Sequence, residues 1–176
     1  MPERFKDAWW RWLAVSAGVV VLDLATKAWV SSVFQYGESK YVLPFFNLVL
    51  AHNTGAAFSF LAGAGGWQRW FFTIVTIAIS IAIVVMMKRH AAQKLFVVAL
   101  SLVLGGALGN LYDRVTLGYV VDFIQVHAAG SYFPAFNVAD SAITVGVVLL
   151  IWDSLFGAEA KAARRESAAP VPEEKS

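Results

Sequence analysis

The sequence contains no cysteine, which excludes a disulfide framework, a thiol nucleophile and cysteine-ligated metal sites. Charge is scarce. Asp, Glu, Lys and Arg make up 15% of 176 residues, where a soluble domain carries about 25%. The formal net charge of +2 is too small to hold a polyanion, so nucleic acid is not an expected partner. No H-E-x-x-H pair occurs, and His52, His90 and His127 are scattered, which leaves no recognisable zinc site. A G-x-S-x-G elbow is also missing, so a serine nucleophile has no obvious seat. Neither a metal nor a cofactor is expected.

What remains is apolar. Hydrophobic residues make up 59% of the chain and aromatics 14%, an excess that needs an apolar solvent. A helix crosses a bilayer in about 20 mainly apolar residues, and four segments qualify: about 12–33, 70–87, 95–112 and 138–156. Each is predicted to be helical, because backbone polar groups in hydrocarbon must pair within their own segment. The first begins like a signal peptide, but Asp23 and Lys27 interrupt its apolar run and no small-x-small site closes it, so it reads as a retained helix. The fold class is an all-α polytopic membrane protein, a four-helix bundle forming one membrane-embedded domain over 1–157.

Lysine and arginine set its orientation. They cluster at Arg4, Lys6 and Arg11, at Lys88, Arg89 and Lys94, and at Lys161, Arg164, Arg165 and Lys175. Positive charge favours the cytoplasmic side, so both termini are expected there. The other two connections carry only Lys40, Arg69 and Arg114 and are expected outside. Within 34–66, the stretch YVLPFFNLVLAHN is rich in β-branched and aromatic residues and runs into the turn NTG; a small sheet on the outer membrane surface is expected. Residues 113–139 read as a second outer connection. The tail from 158 mixes alanine, proline and charge and is expected to be disordered on the cytoplasmic side.

Acids in or beside spanning segments are costly and usually functional. On this topology Asp113, Asp122 and Asp140 gather at the outer ends of the third and fourth helices. Two carboxyls in apolar surroundings can share a proton, one activating water while the other donates to a carbonyl. Other readings stay open. Asn137 and Asp140 have the spacing of a helix cap, Asp113–Arg114 has the makings of an interfacial ion pair, and Asp122 of a solvated loop acid. Asp23 and Lys27, four residues apart, share a helical face and read as a neutralising pair with a supporting role. Gly105 and Gly109, with Ser101 one step earlier, allow close helix packing. A proton-linked transporter using the acids as a relay, or an assembly partner packing through the glycines, remains an alternative on spacing alone.

Five pieces occur in one order: DLATK (Asp23, Thr26, Lys27), NTGAAFS (Asn53, Gly55, Ala56, Phe58), GGALGNLYDRV (Gly105, Gly106, Gly109, Asn110, Asp113, Arg114), VVDFI (Asp122) and FNVADS (Asn137, Ala139, Asp140). With these the chain resembles the lipoprotein signal peptidase (signal peptidase II) family from its first helix to its fourth. The resemblance implies a bacterial inner-membrane aspartic endopeptidase, with its site near the periplasmic face. It would cut the signal peptide of a prolipoprotein just before a diacylglyceryl-modified cysteine. It puts Asp122 and Asp140 on the catalytic positions. Asn53, Asn110, Arg114 and Asn137 fall on polar positions of the site, with Gly55, Asp23, Lys27 and Asp113 as further substrate-binding or supporting residues. The outer sheet corresponds to a cradle on the membrane surface. Lipidated prolipoprotein, membrane lipid and globomycin-type inhibitors are the implied partners.

Overall fold

The computed structural model describes residues 8–55 and 66–167. Arg4 and Lys6, the Ala56 and Phe58 of NTGAAFS, and the tail beyond 167 lie outside the described residues. A 3₁₀ turn, Ala8–Trp12, leads into α1 (Leu13–Val33). Strands β1 (Ser39–Leu43) and β2 (Phe46–Asn53) follow, then α2 (Trp67–Arg89) and α3 (Lys94–Thr116). β3 (Val120–Ala128) and the short β4 (Ser131–Tyr132) precede α4 (Val138–Ser167). All four helices contain a stretch long and apolar enough to cross a membrane.

α3 is the axis of the bundle. Half of its apolar window is buried, against 22%, 22% and 17% for the other three spans. Its small residues explain why. A Cβ on Gly105 would come within 2.7 Å of Val19 Cβ and 2.8 Å of Ser16 O on α1. One on Gly106 would run into Ala139 O on α4. In lipid, where apolar side chains gain little by leaving the solvent, such backbone approach drives helix association. Ser16 adds a hydrogen bond across the same interface, donating to Ser101 O at 2.8 Å.

Strands β1 to β4 form one antiparallel sheet in sequential order. It packs on the C-terminal end of α1, where Val30, Phe34, Leu50, Val121 and Phe123 make a buried cluster. Ile83, Met87, Val97, Leu100 and Leu104 form a second cluster, on the part of the bundle where α2 ends and α3 begins.

The structure adds detail to three readings. The 113–139 connection carries β3, which pairs with β2 from Val120 to Val126. Val120, Val121, Asp122 and Phe123 are all buried. A strand covered on both faces loses the alternation by which strands are read. Asp113 and Arg114 do not pair, since Asp113 turns inward to Lys27 at 2.9 Å. The fourth helix also continues past Phe156 to Ser167, through an alanine-rich stretch of high helix propensity.

Candidate active site

β3 and the start of α4 carry the two acids, and a short return of the chain brings them together. After β4 the chain doubles back against β3. Phe136 N donates to Ile124 O at 3.0 Å, and Ile124 N donates to Phe136 O at 2.8 Å. That pairing sets Asn137 beside Asp122 and starts α4 immediately afterwards. Asn137 caps the helix: its Oδ1 accepts from Asp140 N at 2.9 Å, while Asp140 Oδ2 accepts from Asn137 N at 3.3 Å. This is a reciprocal capping box. The capping reading of Asp140 therefore holds, and the same side chain also faces the cleft.

Three amides hold the two carboxyls. Asn137 Nδ2 donates to Asp122 Oδ1 at 2.7 Å, and Asn53 Nδ2 donates to Asp122 Oδ2 at 3.2 Å. Asn110 Nδ2 donates to Asp140 Oδ1 at 2.7 Å. Asn137 also donates to Asn110 Oδ1 at 3.2 Å, so the two carboxyls are linked through two side-chain amides. The register shift in β2 between Leu48 and Ala51 is the kind of irregularity that re-aims side chains beside a site. Here it precedes Asn53 directly.

The acids open on one cleft of about 830 Å³, lined also by Asn53, Asn110, Arg114 and an apolar wall that includes Phe133 and Phe136. Asp122 is almost fully buried, at 2% exposure. Burial, and secondarily the charge of Asp140, pushes its carboxyl up from 3.8 to about 7, against the opposing pull of the Asn53 and Asn137 amides. Arg114 reaches Gly55 O at 3.2 Å and lies over the Phe72 ring at 5.3 Å.

Asp23, Lys27 and Asp113 lie outside the cleft and form a buried ion triad, with Lys27 Nζ 2.7 Å from Asp23 Oδ2 and 2.9 Å from Asp113 Oδ2. The expected Asp23–Lys27 pair is present. Its third member was not foreseen as such, since helix spacing reveals neighbours on one helix and not across two.

Sequence reasoning also missed His52. It lines the cleft and sits between Tyr36 and Tyr119, with ring centroids 4.6 and 3.9 Å away. Its place beside Asn53 was the only available signal. The apolar wall from 133 to 136 was missed too, because it depends on the fold-back after β4. Among the described residues no group of three His, Cys, Asp or Glu side chains is arranged to hold a metal.

Residues 15–156 match the family model described as "Signal peptidase (SPase) II". A protein of Janthinobacterium sp. (strain Marseille) named lipoprotein signal peptidase is 56% identical over 144 residues, covering 82% of this chain and 87% of that one. A Paraburkholderia phymatum protein of the same name is 53% identical over 144 residues, with the same coverage of 82% and 87%. A solved structure described as a bacterial membrane enzyme superposes with a TM-score of 0.73 at 36% identity, covering 94% of each chain.

Proposed function

The chain belongs to the signal peptidase II family, and from that premise we propose that it removes the signal peptide of diacylglyceryl-modified prolipoproteins as an aspartic endopeptidase, cutting before the lipidated cysteine. One observation carries the aspartic reading. Asn110 and Asn137 hold one carboxyl each and are bonded to one another, so Asp122 and Asp140 face a single cleft.

The roles follow from surroundings. Asp122, buried and pushed up to about 7, holds the shared proton at rest. Asp140 accepts two hydrogen bonds in the first turn of α4 and serves as the base. Asp140 takes a proton from water as the oxygen attacks the scissile carbonyl, and Asp122 gives its proton to the carbonyl oxygen. When the tetrahedral intermediate collapses, Asp140 protonates the leaving amine and Asp122 recovers its proton from the gem-diol. Arg114 and Asn53 hold the substrate backbone extended, which keeps its amide free of helical hydrogen bonding and open to water.

The sheet and the acids share one end of the bundle, while Lys88, Arg89 and Lys94 mark the other. With the basic end inside, the site faces the periplasm of a bacterial inner membrane and both termini are cytoplasmic. A signal helix then reaches the cleft from within the bilayer, and the acyl chains stay in lipid throughout.

The test is cleavage by the purified protein of a precursor with and without its diacylglyceryl group. The lipidated precursor is expected to be cut, in the presence of a chelator and not in that of a globomycin-type peptide. Equal processing of both precursors would remove lipid recognition, and inhibition by the chelator would remove the metal-free dyad.

A further inference from the structure

Side-chain amides can present either an oxygen or an NH₂ group, and what faces them decides which. Three amides touch the acids, and each has its orientation imposed by a group that can only donate. Gly55 N donates to Asn53 Oδ1 at 3.0 Å. Asp140 N donates to Asn137 Oδ1 at 2.9 Å. For Asn110 the donor is a side chain from another helix: Lys27 Nζ donates to its Oδ1 at 3.0 Å. An ammonium has no acceptor, so Asn110 must turn its NH₂ toward Asp140.

The partners of Lys27 extend this control. Asp113 Oδ2 accepts Val121 N at 3.1 Å, and Asp23 Oδ1 accepts Ala139 N at 2.8 Å. Val121 and Ala139 are the residues immediately before Asp122 and Asp140. One ammonium thus gathers two carboxylates that tether the backbone at both acids, and it orients the amide that holds one of them. Lys27 is 3% exposed and lies outside the cleft lining.

We infer that Lys27 is a positioning residue for hydrolysis, acting through Asn110 to hold the Asp140 carboxyl in its working direction. This rests on the aspartic reading above. Without the ammonium, Asn110 Oδ1 keeps only the neutral donor Asn137 Nδ2 at 3.2 Å, so the amide is held less firmly and its grip on the Asp140 carboxyl loosens.

Lys27→Met alone would leave two buried carboxylates unpaired, a strongly destabilising change. The test therefore uses D23N/K27M, which keeps the triad's net charge at −1 and keeps an amide oxygen at position 23 for Ala139 N. This protein, N110A and the triple variant are assayed in membranes on the lipidated precursor beside wild type. Displacement of a catalytic group by around an ångström costs about 100-fold. Both D23N/K27M and N110A are expected to lose about that factor in kcat, with KM unchanged. The triple variant is expected to be no slower than the slower of the two, the non-additivity of residues acting in series. Losses that multiply in the triple variant, or wild-type kcat in D23N/K27M, would overturn the inference. Failure of D23N/K27M to accumulate in the membrane would also overturn it, assigning the pair to folding. An inactive wild type would instead remove the aspartic endopeptidase reading.

Discussion

Two groups of acids sit at the same end of the bundle, and their surroundings treat them oppositely. Asp23 and Asp113, at 0% and 2% exposure, close on the ammonium of Lys27 and spend their remaining oxygen capacity on backbone N–H groups of β3 and α4. Asp122, equally buried, is held by neutral amides. Among the described residues the close ion pairs are those of Lys27 with Asp23 and Asp113, and Arg114 acts on Asp122 and Asp140 only at longer range. A carboxyl matched to a cation inside the protein is committed to holding structure. One hydrogen-bonded to amides and not closed on a cation keeps its option to carry a proton, and that is the property peptide hydrolysis requires.

The comparison breaks most sharply under substitution. On the proposed mechanism, replacing Asp122 or Asp140 by Asn removes a general acid or base and is expected to lower kcat on the lipidated precursor by about 10²–10⁴-fold. The D122N protein is expected to stay folded and to change the pH dependence of stability in a defined direction. The raised Asp122 carboxyl contributes stability that is complete below its unfolded value and is lost as pH rises through about 7. D122N is therefore expected to flatten the decline in melting temperature between pH 4 and 7, and an unchanged slope would contradict the proton assignment. The triad is expected to behave the other way. Asp113→Ala leaves Lys27 one partner short and orphans Val121 N, at a cost of about 3–5 kcal/mol read by thermal unfolding in detergent. A wild-type melting temperature for that variant would erase the distinction between the groups.

The same contrast marks what the sequence could and could not disclose. The four spans were legible because a bilayer demands long apolar runs, and they end within a few residues of where the apolar runs stop. α4 is the exception, since propensity carries it beyond the apolar run to Ser167. Asp23 and Lys27 were legible as a pair because one helical turn fixes their spacing. The alternative pairing of Asp113 with Arg114 stayed open in the sequence, because adjacency in the chain says nothing about which way α3 presents each side chain. Asp122 and Asp140 were recognisable by resemblance, yet the means of their meeting was hidden. The fold-back of 133–136 onto β3 is built from backbone hydrogen bonds, and backbone bonds leave little mark on residue type. β3 itself was concealed by its burial on both faces.

Substitution can disable a site for many reasons, so the sharpest test leaves the protein intact. kcat/KM reports the ionisation of free enzyme, and the proposed mechanism has the two acids share one proton. With burial lifting Asp122 to about 7, rising pH removes the single proton the pair shares and leaves two carboxylates with no acid. The expected result on a lipidated precursor that does not itself titrate in this range is a fall in kcat/KM above an apparent pKa near 7. Constant kcat/KM from pH 6 to 9 would contradict a proton-sharing aspartate pair.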